Sequence, residues 1–147
     1  MKIAARHTCC LKMLTTGFAL SLSCGTAMAD VVAIVSARSP LIELSKNQIA
    51  NLFLGNASML VLGEPLIPID MAVGTPLRDE FYISYGAKTP AQIRTHWSKL
   101  IFTGRGQPPK EATSSRELKK MIADNPHTIG YLDLKMIDAS VRAVLSP

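Results

Sequence analysis

The sequence changes character at Asp30, and all three of its cysteines lie before that point. Lys2, Arg6 and Lys12 are followed by an uncharged stretch through Leu14, Phe18, Leu20 and Leu22, which closes on Ala27-Met28-Ala29. A basic start, a short apolar middle and a small-x-small end make a secretory signal, with cleavage expected after Ala29. Thr15, Thr16, Gly17, Ser21 and Ser23 interrupt the apolar stretch, so it falls short of a bilayer-spanning anchor. Lipidation at Cys24 is the weaker reading, because Ser21 stands where a lipobox carries leucine.

Processing at that point redefines the working chain. The full 147 residues less the first 29 leave 118, and losing three of 16 basic side chains leaves 13 against 11 acidic, a formal charge of +2. Cys9, Cys10 and Cys24 depart together. The expected mature chain therefore has no disulfide, no thiolate nucleophile and no sulfur-ligated metal, and must rely on a packed core. Its length suits one domain over residues 30–147, and 48% apolar against 18% charged residues argues against disorder.

Val31-Val32-Ala33-Ile34-Val35 is β-branched without alternation, the pattern of a strand covered on both faces. Ser45-Lys46-Asn47-Gln48 is a capping box that starts a helix with Ile49, Leu52 and Phe53 on one face, and Gly55 sits where a left-handed cap ends it. Leu66 to Asp70 reads as a second strand, with Pro68 favouring an edge or an irregular ladder position. Thr75-Pro76 opens a helix carrying Leu77, Phe81 and Tyr85, with proline in the first helical position.

Thr89-Pro90-Ala91-Gln92 and Ser114-Ser115-Arg116-Glu117 are two further boxes. The first leads a helix with Ile93, Trp97, Leu100 and Ile101 on one face and Gly104 as its stop; the second leads Leu118, Met121 and Ile122. Thr128 to Leu132 and Val141 to Leu145 read as closing strands, with a short turn or helix across Lys135 to Asp138. This order predicts an α/β fold, a mixed and mostly parallel sheet flanked by helices.

One helix start differs from the other three. Where they carry Gln48, Gln92 and Glu117, the start at Thr75 carries Arg78, which leaves the terminal amides free and adds positive charge. With Gly74 just upstream, amides, hydroxyl and guanidinium suit an oxyanion. The competing reading has Thr75 capping its helix and Arg78 paired with Asp79, Glu80 or Asp124 at the surface.

Catalytic and cofactor chemistry find little support. His96 and His127 lack metal-pair spacing, and no Gly-x-Ser-x-Gly elbow, P-loop or GxGxxG occurs, so no enzyme, metal or cofactor is expected. His96 reads as a half-buried helix residue and Trp97 as a core anchor. Arg94, Lys99 and Arg105 are scattered on a weakly charged chain, which disfavours nucleic-acid binding.

Leu44 to Gly55, Pro68-Ile69-Asp70 leading to Gly74-Thr75 and Phe81, and Thr128-Ile129-Gly130-Tyr131 resemble the periplasmic substrate-binding proteins of phosphate ABC transporters. With Trp97 and Ile101 to Pro109, the pattern is similar to a short, single-lobe branch of them. The resemblance implies a single three-layer lobe, one half of a type II periplasmic binding protein. It also implies weak binding of phosphate or another oxyanion, with Gly74 and Thr75 matching the family's glycine and threonine.

Val73 stands in place of a serine and Asp70 in place of an arginine, so the expected site is Gly74, Thr75, Arg78 and Asp70. A partner-facing loop is expected at Arg105, Gln107 and Lys110. The partners implied are an ABC transporter, another periplasmic protein or a second copy that completes the cleft. The alternative is a periplasmic interaction module that kept the fold and lost the ligand.

Overall fold

The computed structural model describes residues 30–145, so the expected signal segment and the three cysteines lie outside the described residues. Strand β1 (Val31–Ser36) is followed by helix α1 (Lys46–Phe53), whose capping box is complete in both directions between Ser45 and Gln48. A hairpin of β2 (Leu60–Val61) and β3 (Glu64–Pro65) leads into β4 (Ile67–Met71). Helices α2 (Pro76–Gly86) and α3 (Pro90–Phe102) come next, then β5 (Lys110–Ala112) and α4 (Ser115–Asp124). The described chain closes with β6 (Thr128–Asp133), a 3-10 turn over Leu134–Met136 and β7 (Val141–Ala143).

Five strands form one sheet in the order β5-β4-β6-β1-β7. β4 runs parallel to both β5 and β6, whereas β1 is antiparallel to β6 and β7. Four strands therefore share one direction and β1 alone opposes them, which is the mixed, mostly parallel sheet expected. Ala33, Ile34 and Val35 are fully buried, as their unbroken apolar run requires of a strand covered on both faces.

Adjacent residues of β6 reveal the layers, because neighbouring side chains of a strand point to opposite faces. A Cβ on Gly130 would meet Ile122 and Leu118 of α4. Tyr131 instead stacks on Phe81 of α2 at 3.9 Å and packs edge-on to Phe53 of α1. Thus α4 covers one face and α1 with α2 the other, a single three-layer lobe. Among the described residues, no helix is long and apolar enough to cross a membrane.

Pro68 lies in an interior strand but at an irregular ladder position, one of the two places expected for it: the β5 ladder starts only at Ile69, so β4 is paired on one side at that point. Two readings require correction. The third capping box is half made: Ser114 accepts from the Glu117 amide, but the Glu117 carboxylate turns to the amide and hydroxyl of Thr113. Ile101, placed on the buried face of α3 by its spacing, is 55% exposed.

Candidate functional site

The C-terminal end of β4 builds the region singled out by the sequence. β4 pairs with β6 at Ile67 and Pro68 and with β5 from Ile69 to Met71, so it changes partners midway. Beyond that switch the Met71 amide has no carbonyl across from it on β6. It donates instead to Asp70 Oδ1 at 2.8 Å and to the Tyr131 hydroxyl at 3.1 Å.

Asp70 is wholly buried, and four donors converge on it. Besides the Met71 amide, the Tyr131 hydroxyl donates to Oδ1, the Tyr82 hydroxyl to Oδ2 at 2.8 Å and Arg78 Nε to Oδ2 at 3.0 Å. A carboxylate offers about four acceptor sites, so this one is saturated. Burial and then the Asp70 charge push the Tyr82 and Tyr131 hydroxyls far above the ordinary phenol range. Burial opposes the charge of Arg78, but Asp70 more than restores it, and the net shift is upward.

Sequence reasoning brought Asp70 and Arg78 to one site, and the structure pairs them in the interior. The pairing of Arg78 with Asp79, Glu80 or Asp124 at the surface does not form. Tyr82 escaped the sequence reading, although its spacing of four from Arg78 places both on one face of α2.

Gly74 has φ +88°, in the left-handed region that glycine favours, and open space where a side chain would sit. The Thr75 hydroxyl donates to the Ala72 carbonyl at 2.9 Å and makes no cap bond. Pro76 has no N–H, and the Arg78 and Asp79 amides return to the Thr75 carbonyl. The Leu77 amide is the first-turn donor left over. Gly74 is exposed and Thr75 half-buried above the Asp70–Arg78 pair, whose charges offset each other.

Of the loop residues, Arg105 and Gln107 are exposed, and Lys110 begins the edge strand β5. Gln107 and Lys110 border an open cleft of about 370 Å³ that also touches Trp97 and Pro108. Trp97 is buried, and His96 is half-buried with Nε2 2.8 Å from the Leu54 carbonyl. Among the described residues no group of three or more His, Cys, Asp or Glu is placed to hold a metal ion.

No protein-family model matches the chain, and no curated protein matches it in sequence. Solved structures do match in fold. A phosphate ABC transporter substrate-binding protein from Clostridium perfringens, with phosphate bound, is similar at a TM-score of 0.61 and 22% identity over 78% of this chain. An ABC-type phosphate transport receptor from Vibrio cholerae is similar at 0.60 and 16% identity, again over 78%. A protein from Planctomyces limnophilus described as a possible phosphate binding protein is similar at 0.56 and 11% over 79%. The chain spans 41–44% of the length of these structures and has the fold of a single lobe of such proteins.

Proposed function

We propose that this chain is an exported, non-enzymatic solute-binding lobe, processed after Ala29, that contacts phosphate or a related oxyanion weakly and serves phosphate ABC transport in the periplasm. The contact is placed at Gly74 and Thr75 with the Arg78 turn above Asp70. The observation that supports it is the open glycine turn at the α2 start in a fold similar to a phosphate-bound receptor.

Weakness follows from charge. The Arg78 guanidinium already serves Asp70 through Nε, so an incoming anion meets a pair whose charges offset each other. Micromolar binding requires about −8 kcal/mol net, and association itself costs roughly 4–15 kcal/mol. Two or three charge-assisted bonds of about 1.5–3 kcal/mol each on a half-open surface do not reach that. Calorimetry of the purified protein against phosphate and sulfate should give small, saturable heats at millimolar ligand; no heat sinks the reading.

A second reading is supported by the end of α3. Phe102 is 93% exposed and adjoins Ile101, beside the loop that carries Arg105 and Gln107. An interaction module that kept the fold and lost the ligand would use such a surface against a transporter, another periplasmic protein or a second copy. Crosslinking in periplasmic extract and sedimentation of the pure chain separate these cases. An inert monomer with no defined crosslink counts against this second reading.

A further inference from the structure

A cleft of about 210 Å³ opens between the start of α2, the middle of α3 and β5, and Val73 and Arg78, which flank the Gly74–Thr75 turn, are in its lining. Its depth holds one buried donor without a partner, Trp97 Nε1, and one buried cation, Arg78. Trp97 is 6% exposed, and its Nε1–H makes no well-formed hydrogen bond, only a weak approach to the Tyr82 hydroxyl. Arg78 is 4% exposed, and among the described residues the hydrogen bonds of its guanidinium end at Asp70 through Nε, which leaves both terminal amino groups uncommitted. A buried donor without an acceptor costs about 1–3 kcal/mol, so the Trp97 indole calls for an acceptor, and the Arg78 cation beside it suits an anionic one.

The remaining walls define that molecule. Val73, Ile93, Ile101 and Pro108 are apolar, Ser98 adds one hydroxyl, and Arg94 and Glu111 bring opposite charges at exposed positions. Neither Arg94 nor Glu111 forms a salt bridge among the described residues. An inorganic oxyanion would face the Glu111 carboxylate and leave the apolar walls wet. The cavity is also smaller than the roughly 300–1,000 Å³ that drug-sized ligands occupy.

We propose that this cleft binds a small zwitterion with an apolar body, the chemistry of an apolar α-amino acid. Its carboxylate meets the Arg78 amino groups and the Trp97 indole, its ammonium meets Glu111, and its side chain lies against Ile93 and Ile101. The site shares Arg78 with the oxyanion reading but takes a different ligand, and it stands without phosphate binding at Gly74 and Thr75.

Trp97 is the only tryptophan of the chain and lines this cleft as well as the one beside Gln107 and Lys110, so its emission reports binding and a Glu111 variant assigns it to this cleft. The purified protein is titrated with L-leucine, with 4-methylpentanoate, which lacks the ammonium, with 3-methylbutylamine, which lacks the carboxylate, and with phosphate. L-Leucine should shift Trp97 emission saturably, and each truncated compound should bind about tenfold more weakly or worse. Glu111→Gln, an exposed change whose folding is checked by circular dichroism, should erase the preference for L-leucine over 4-methylpentanoate. A folded protein whose emission ignores L-leucine overturns the proposal, as do equal binding of the truncated compounds and displacement of L-leucine by phosphate. Calorimetric phosphate heats in a protein whose Trp97 emission ignores L-leucine would leave the α2-start reading standing and this one refuted.

Discussion

Arg78 donates through Nε to Asp70 Oδ2 at 3.0 Å, with the two side chains 4% and 1% exposed. The pair joins α2 to β4 across the core, and its two members depend on each other. Removing one partner of a buried pair leaves an uncompensated charge and typically costs about 3–5 kcal/mol. Asp70→Asn, which keeps the shape but not the charge, should lower the unfolding free energy in urea by that amount. The double change Asp70→Asn with Arg78→Met should cost less than the sum of its single changes, and strict additivity would contradict the coupling.

All three tyrosines of the chain are buried and have their hydroxyls held above the ordinary phenol value. Burial is the leading cause in each, joined by Asp70 for Tyr82 and Tyr131. The folded state thus favours the protonated phenols. Their contribution to stability is complete below the unfolded value of about 10 and is lost as pH rises above it. Near-ultraviolet phenolate absorbance should stay flat through pH 10 and then rise together with loss of circular dichroism. An early rise in a folded chain would mean that at least one hydroxyl is wet.

Gly55 follows α1 with φ +68°, and a Cβ there would lie 3.0 Å from Trp97 Cη2. Gly55→Ala meets both a left-handed backbone and the indole ring. The left-handed region costs a non-glycine residue about 1–2 kcal/mol before any clash. A loss of about that size or more is expected in thermal unfolding, with a changed Trp97 emission. Unaltered emission would show that the ring does not rest on this turn.

Gly130 lets α4 approach β6, since an added Cβ would come within 3.1 Å of Ile122 and 3.3 Å of Leu118. Overpacking of this kind costs about 1–3 kcal/mol. Gly130→Ala should destabilise the chain in that range, and Ile122→Val in the same background should recover part of the loss. If the second change only adds to the damage, α4 is not seated as described.

The readable parts of this fold are those with local causes. Ser45 with Gln48 and Thr89 with Gln92 make reciprocal caps within four residues, so their helix starts were legible and are found complete. The β2–β3 hairpin was not, because its strands have two residues each and its turn places Leu62 at φ +52°, where leucine is no signal. β5 was missed because Lys110 and Glu111 on a three-residue edge strand look like loop. At the site, Asp70 and Arg78 were legible singly as departures from pattern. Their partnership was not, because it depends on Tyr131, 61 residues from Asp70, and on the partner switch of β4.

The reversed strand β1 has a kinetic consequence. It is flanked by β6 and β7, so Val31–Ser36 finds both neighbours only in the last two described strands. A sheet whose first strand waits for its last is dominated by contacts distant in sequence, which slows folding and prevents growth from the N-terminus forward. Val31–Ser36 must remain unpaired in this sheet until residues 128–143 are present, so the closure of β1 is a late event.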